Sequence, residues 1–323
     1  MVIKSCSFAK KSGEKRGVSF PEHGTAPCTK PARSTFVNGD LETDHDVLVT
    51  LARFTLATAE QLHQLHGGQA GLKQTQKRMA RLHEEGLAEF VTLPQAGRAK
   101  AWHLTGQGAA TAATFPEARR PGHQAAPAEQ AALRYGRGHL LDLGRVHTAF
   151  VADARARGEG CGPLDLIPAP EHPAGPTGEV YRPAAEIAYT ATTTGGRRRL
   201  RAFVELHRPG GGTEHTVEQL AACASLWEQP GAGGSGRAWE RRWRAFPSVL
   251  VVLAGTPAAA IDAAVADLRL AAEERPAVAE LLAAVPTGAA RLEDLVQHGP
   301  AAPVWHPLGT EGQRPCGWTQ LQP

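Results

Sequence analysis

The sequence has no apolar stretch long enough to cross a bilayer. Its longest continuous apolar run extends only from Val249 to Ala254, far below the ~20 residues that a spanning helix needs. The N-terminus lacks a continuous apolar core of the kind found in secretory leaders, so no signal peptide and no membrane partner are expected. Cysteine is scarce: Cys6, Cys28, Cys161, Cys223 and Cys316 are odd in number and widely scattered. They make neither a disulfide framework nor a CxxC zinc pattern, which fits a reducing cytoplasm. His63 and His66 sit one helical turn apart, but no second ligand pair of suitable spacing accompanies them, so they read as partly exposed helix histidines and no metal is expected. Net charge is also small, at +3, so the distribution of charge carries more information than its total. No heptad repeat or exposed apolar stripe demands dimerisation, and a homodimer is left open.

What is present suffices for a sizeable core. The chain has 323 residues, of which 42% are hydrophobic, and two domains are expected. Residues 1–40 read as a disordered basic arm, because Lys4, Lys10, Lys11, Lys15, Arg16, Lys30 and Arg33 face only Glu14 and Glu22 among residues 1–37 and no apolar periodicity runs through them. Residues 41–115 form a first domain, and 116–137, rich in Pro, Ala, Gly and Arg, a linker. Residues 138–309 form a second domain, and 310–323, rich in Gln, Gly and Pro, a disordered tail.

Within the first domain, the segment from Gly71 to Leu87 divides into two faces at 100° per residue. Leu72, Thr75, Met79, Leu82 and Gly86 fall on one side. Lys73, Lys77 and Arg81 repeat at four-residue spacing on the other, with Gln74 and Arg78 beside them. This is a basic helix with amides and guanidiniums on its outer face, suited to phosphates and base edges. Upstream, Asp44–Phe54 reads as a helix burying Val47, Leu48, Leu51 and Phe54. A second helix follows from Thr58, with Gln61 placed to complete a capping box. Downstream, Leu87–Leu93 alternates like a half-buried strand. A turn carrying Arg98 and Lys100 then leads to a return strand, Ala101–Leu104. Three helices and a two-stranded wing with a basic tip resemble winged helix-turn-helix proteins. The resemblance implies DNA contact through Lys73, Gln74, Lys77, Arg78, Arg81, Arg98 and Lys100, although such modules also engage proteins.

The second domain opens with an amphipathic helix from Gly138 to about Arg157, in which His139 and His147 read as polar members. Strands are expected at Leu164–Pro168, Arg182–Tyr189 and the latter half of Arg197–Arg208. A helix from about Thr216 to Glu228 follows, then a buried strand at Phe246–Gly255 and a helix from about Ala258 to Glu274. This pattern makes an α/β or α+β domain. Trp239 and Trp243 read as an apolar helix face rather than a base-stacking platform. Arg197, Arg198, Arg199 and Arg201 form a dense basic run beside the hairpin, and Arg237, Arg241, Arg242 and Arg244 form another. The first run is the candidate for secondary DNA contact.

Taken in order from about residue 44 to 309, these parts, with the Phe246–Val252 strand and the closing Ala302–Leu308 segment, resemble the replication-relaxation family of actinobacterial, plasmid- and mobile-element-associated proteins. The family name implies a role in plasmid replication or DNA relaxation. The second domain also resembles the restriction-endonuclease-like fold, whose site carries Pro-Asp and then Glu-x-Lys on the next strand. Here Pro183-Ala184 stands at the first position and Glu205-Leu206-His207 at the second. One carboxylate is missing and the lysine is a histidine, with Glu186 on the same strand face as Ala184. The chemistry of that site needs carboxylates converging on Mg²⁺, so Glu186, Glu205 and His207 stand as vestigial candidates in an inactive domain.

The expected fold is therefore α+β: a winged helix-turn-helix followed by an α/β nuclease-like domain. The expected function is non-catalytic binding of double-stranded DNA in plasmid or mobile-element replication, relaxation or its transcriptional control, without a cofactor. Two alternatives stay open. One is a Mg²⁺-dependent nuclease with a rearranged site. The other is an interaction module of a replication or conjugation complex.

Overall fold

A computed structural model describes residues 38–68, 70–93, 99–118, 136–175, 178–193, 195–208, 212–231, 233, 236–309 and 314–323. The chain is mixed α/β, and residues 38–323 form one compact unit. The first helix, α1, spans Asn38–Phe54 and so starts earlier than its apolar periodicity indicates. Its N-terminal half is rich in Asp and Glu, which the helix dipole favours. The short strand β1 (Ala57–Thr58) leads directly into α2 (Ala59–His66), where Thr58 and Gln61 make both bonds of a capping box. Helix α3 covers Leu72–Glu84. Strands β2 (Ala88–Leu93) and β3 (Ala99–Leu104) follow, then α4 (Gly106–Ala112), capped by the Thr105 hydroxyl. Strand β3 lies between β1 and β2 in an antiparallel three-stranded sheet. Val47, Leu51, Leu62, Met79, Leu82 and Trp102 form the core beneath it.

The long helix α5 (Arg137–Arg157) opens the second half and ends at the left-handed Gly158. Strands β4 (Leu166–Pro168), β5 (His172–Pro173), β6 (Val180–Tyr181), β7 (Ala185–Thr193) and β8 (Gly196–His207) follow. Next come α6 (Gly212–Glu228), β9 (Ser248–Leu253), α7 (Ile261–Glu273), α8 (Pro276–Ala284), β10 (Thr287–Arg291), α9 (Leu292–His298) and β11 (His306–Pro307). The main sheet has the order β11-β10-β9-β8-β7-β4, with β9 parallel to both β8 and β10. Side chains alternate between its faces. Ile187, Ala202, Val204, Leu250 and Val252 pack towards Val146 and Phe150 of α5 and Leu295 of α9. Phe203, Val249 and Val251 pack towards Leu220 and Ala224 of α6 and Leu268 and Leu281 of α7 and α8.

Several expectations about boundaries change. The proposed linker (116–137) falls mostly on 119–135, outside the described residues, but Pro116–Ala118 is a 3-10 turn and α5 already begins at Arg137. The proposed arm lies outside the described residues except for its last three, which begin α1. The expectation of a disordered tail does not hold for 314–323. Cys316 makes a β-bridge with Trp305, and Trp318 and Leu321 are buried in the core with Phe150. Leu321 seats where Gly288 of β10 has no side chain: a Cβ there would come within 2.8 Å of it.

The two halves also share a core, instead of being joined only through a connecting segment. Phe54 and Leu65 belong to the same apolar cluster as Val146 and Phe150, and Leu56, Leu93 and Ala101 close on Leu140. Arg53 donates to the Leu164 carbonyl (2.8 Å), and Arg155 donates to the carbonyls of Gln64 and Leu65. The Gln61 amide serves both sides. Its Oε1 accepts from Thr58 N at 2.9 Å, and its Nε2 donates to Leu141 O at 2.8 Å. This approach needs Gly144, because a Cβ there would lie 2.5 Å from Gln61 Nε2.

Gly144→Ala is therefore expected to destabilise the wild-type chain by roughly 1 kcal/mol, the loss of Gln61's bonds outweighing the gain in helix propensity. In a Gln61→Ala background the same change should stabilise by up to about 1 kcal/mol. Denaturant unfolding of the four variants checks this, and the same sign in both backgrounds would refute the account.

Candidate nucleic-acid interface

Helix α3 buries Thr75, Met79 and Leu82 and turns the opposite side outward. Lys73, Gln74 and Lys77 are exposed. Among the described residues, neither lysine has a carboxylate within ion-pair distance. Arg78 and Arg81 behave differently. Arg78 Nε lies 2.9 Å from Asp44 Oδ1, and Arg81 Nη2 binds the other carboxylate oxygen. Asp44 is buried and the Arg78 side chain is only 10% exposed, so this pair fastens α3 to α1. The two arginines expected to read DNA are thus engaged within the protein, Arg78 almost entirely.

Lys100 is exposed on β3, with its ammonium 3.9 Å from the centre of the Phe90 ring. Arg98 lies outside the described residues. Between α3 and the strands runs a groove of about 420 Å³, lined by Glu60, Gln76, His83, Glu84, Phe90, Lys100 and Trp102 among others. His63 bonds Thr75 and His66 bonds Thr50, at 3.2 and 2.8 Å. They act as half-buried links between helices. Burial lowers the His66 pKa to about 4.

On the sheet, Glu186, Glu205 and His207 share the face covered by α6 and α7. Each has a separate partner. The Tyr181 hydroxyl donates to Glu205 Oε1 at 2.6 Å, and burial pushes the Glu205 carboxyl up to about 8. Glu186, also buried, is bound by Arg201, and His172 Nε2 stands 3.7 Å from its other oxygen. His172 accepts from Arg242 through Nδ1 (2.8 Å), and burial, then Arg242, lowers its pKa to about 4. His207 Nδ1 lies 2.7 Å from the Thr216 hydroxyl. No group of three or more His, Cys, Asp or Glu that could hold a metal occurs among the described residues.

The replication-relaxation family model matches residues 48–229, more than half of the chain. The chain belongs to the replication-relaxation family. The match begins inside α1 and ends just after α6, so the family region contains the junction of the two halves, α3 and the β7–β8 hairpin. No curated protein matches the chain. Two solved structures of a Lactococcus lactis ZitR mutant, one of them in apo form, are 18% and 19% identical over 24% and 23% of this chain, with TM-scores of 0.21 and 0.20. The chain spans about half the length of those proteins, 56% and 48%. At such TM-scores they carry no argument about this family member. None of its described helices is long and apolar enough to cross a membrane.

The remaining cations divide in the same way. Arg199 lies 3.7 Å from Asp165 and Arg201 holds Glu186, whereas Arg197 and Arg198 are exposed and, among the described residues, have no carboxylate within ion-pair distance. Arg237 stacks on Trp227 and Arg242 reaches His172. Trp243 joins His172, Phe203 and Phe246 in an aromatic cluster, so Trp239 and Trp243 belong to the core side, though on a 3-10 turn and the residues after it instead of one helix face. His147 is a polar member of the buried side of α5. It is fully buried, stacks on Phe54 with ring centres 4.9 Å apart, and donates to Gly162 O. Tyr181, Asp44 and His172, which decide what the candidate residues do, have no motif around them. Their partners lie far along the chain.

The raised Glu205 pKa gives a signed prediction. The folded chain holds a proton there that the unfolded chain releases above its ordinary value, near 4.5. Stability from this group is full below about 4.5 and is lost as pH rises towards 8. Glu205→Gln keeps an acceptor for Tyr181 and removes the titration. Its stability relative to wild type should rise between pH 5 and pH 8 by an amount on the order of 3 kcal/mol. A flat difference between the two unfolding profiles would show that the carboxyl is already ionised.

Proposed function

We propose that this chain is a non-catalytic binder of double-stranded DNA, acting in replication or DNA relaxation of a plasmid or other mobile element, or in its transcriptional control. In this reading α1–α3 with β1–β3 is a winged helix-turn-helix, and α3 is the element presented to the duplex. One observation supports it above the others: Lys73, Gln74 and Lys77 form an exposed polar row with no internal partner among the described residues, on a helix fastened by the buried Met79 and Leu82 and by the Asp44 pair at its flank. A rigid helix with uncommitted ammonium and amide groups suits phosphates and base edges. Membership of the replication-relaxation family agrees with it.

In the same reading the sheet domain is nuclease-like in pattern and carries no cleavage chemistry. The hydrolysis associated with this nuclease pattern uses carboxylates converging on a divalent cation. Glu205, its carboxyl pushed up to about 8 by burial, is turned to Tyr181, and Glu186 is paired with Arg201. No cofactor is required.

The test is a duplex titration across a salt series, with and without Mg²⁺, followed by inspection of the DNA. Lys73→Gln/Lys77→Gln should weaken binding and flatten the plot of log K against log salt by about 1.8, the value for two lost phosphate contacts. Gln74→Ala should alter sequence preference more than overall affinity. Arg78→Ala should instead lower folding stability by roughly 1–3 kcal/mol, by leaving a buried carboxylate short of a partner. Mg²⁺-dependent cutting abolished by Glu205→Ala would replace this reading with the nuclease. Absence of duplex binding would move the module to protein contacts.

A further inference from the structure

The β7–β8 hairpin extends beyond the sheet to which it belongs. Strand β9 pairs with β8 only from Ala202 onward, and β4 pairs with β7 only up to Ile187. Further backbone support comes from the bridge between Gly160 and Thr190 and from Ala188 N, which donates to Asp165 O at 2.8 Å. Ala191, Thr192 and Thr193 therefore pair only with Arg198, Arg197 and Gly196. Ala191 is buried at the root, so the exposed ribbon beyond it, Thr192 and Thr193 against Arg197 and Gly196, reaches about 7 Å at the usual rise per residue.

Its composition is selective. Thr192, Thr193, Gly195, Gly196, Arg197 and Arg198 are exposed, and no large apolar side chain is among them. Successive residues of a strand point to opposite faces, so Arg197 and Arg198 carry a guanidinium on each side of the ribbon. A protein-docking surface would need a buried aromatic or aliphatic anchor, which this ribbon lacks. A duplex groove is a better match. The major groove of B-DNA is about 12 Å wide and 8.5 Å deep, admits a two-stranded ribbon, and is walled on both sides by phosphates.

The ribbon is linked to the segment before α3 through a short chain of contacts. Its root is tied to the end of α5, where Glu159 accepts from Thr192 N (3.1 Å) and from the Tyr189 hydroxyl (2.6 Å). The same end of α5 carries Arg155, which holds the last turn of α2 immediately before α3.

We propose that this hairpin is a second DNA-contacting element that enters a groove of the duplex, with Arg197 and Arg198 neutralising phosphates on its two walls. This rests on the reading that the chain binds duplex DNA. Arg199 and Arg201, tied to Asp165 and Glu186, position the ribbon and do not contact DNA. A protein with both elements covers more of the duplex than α3 alone.

The test uses the full chain, a labelled duplex of about two helical turns, and a salt series for wild type, Arg197→Gln/Arg198→Gln, Arg197→Lys/Arg198→Lys and Lys73→Gln/Lys77→Gln. The ribbon glutamine pair should flatten the salt slope by about 1.8 and weaken binding at least tenfold, with unchanged base preference and unchanged melting temperature. The lysine pair should restore most of the slope. A photo-crosslinking side chain at Thr192 should attach to the duplex. If the ribbon glutamine pair binds like wild type and position 192 fails to crosslink, while the α3 pair is impaired, the ribbon proposal falls and the α3 reading stands. If only the ribbon pair is impaired, the ribbon stands and the α3 assignment falls. No duplex binding by the wild type overturns both.

Discussion

The seating of α2 against α5 runs through an amide contact that a side chain at one position would prevent. Gln61 closes the cap of α2 with its oxygen and reaches the backbone of α5 with its nitrogen, and the space for this exists only because residue 144 is glycine. Around that amide the Phe54 and His147 rings stack, and the arginines of α1 and α5 bind carbonyls across the boundary. Buried backbone and side-chain polar groups are costly to leave unsatisfied, so these bonds specify how the helices sit against the sheet as well as holding them there. The helix expected to face DNA and the hairpin that projects beside it therefore have a fixed separation. A flexible tether would leave that separation free.

Local patterns in the sequence account well for the first half. The faces of α3, the capping box at Thr58 and the alternation of β2 all follow from short-range rules, and the described structure has each of these elements close to the expected bounds. The C-terminal part is less legible for physical reasons. Strand β10 is Thr-Gly-Ala-Ala-Arg, without the bulky alternation that marks a strand, because Leu321 and β11 press against it and leave no room. The tail is rich in residues typical of disorder, yet Trp318 and Leu321 supply apolar surface that a core can use. Composition averaged over the segment hides two side chains that decide its fate.

The candidate site shows the same limit more sharply. Spacing along α3 puts five polar or basic residues on its outer side, and nothing in that spacing separates Lys77 from Arg78. The distinction arises from Asp44, which is 34 residues from Arg78 in sequence and touches it in space. Likewise, Glu205 lies on the expected strand next to the expected neighbours, and its behaviour is set by Tyr181, 24 residues away. Desolvation without a cation raises a carboxyl pKa, and a neighbouring guanidinium satisfies the charged form. On one sheet face, Glu205 shows the first situation, while Glu186 is bound by Arg201, so two carboxylates of the same type have different partners.

A net charge of +3 is a weak figure for a protein proposed to hold a polyanion, but the relevant quantity is the cations left over after internal pairing. Arg78, Arg81 and Arg201 are held by Asp44 and Glu186, and Arg199 lies near Asp165, while Lys73, Lys77, Arg197 and Arg198 have no carboxylate within ion-pair distance among the described residues. Exposed charges beyond about 10 Å are screened at moderate salt, so only those cations that a duplex touches directly release its counterions. Internal pairing therefore serves two purposes. It rigidifies α3 and the hairpin, and it leaves uncommitted positive charge on the outer row of one and the tip of the other. A chain with low overall charge can in this way present strong local charge at two positions, which favours a defined docking geometry over general adhesion to nucleic acid.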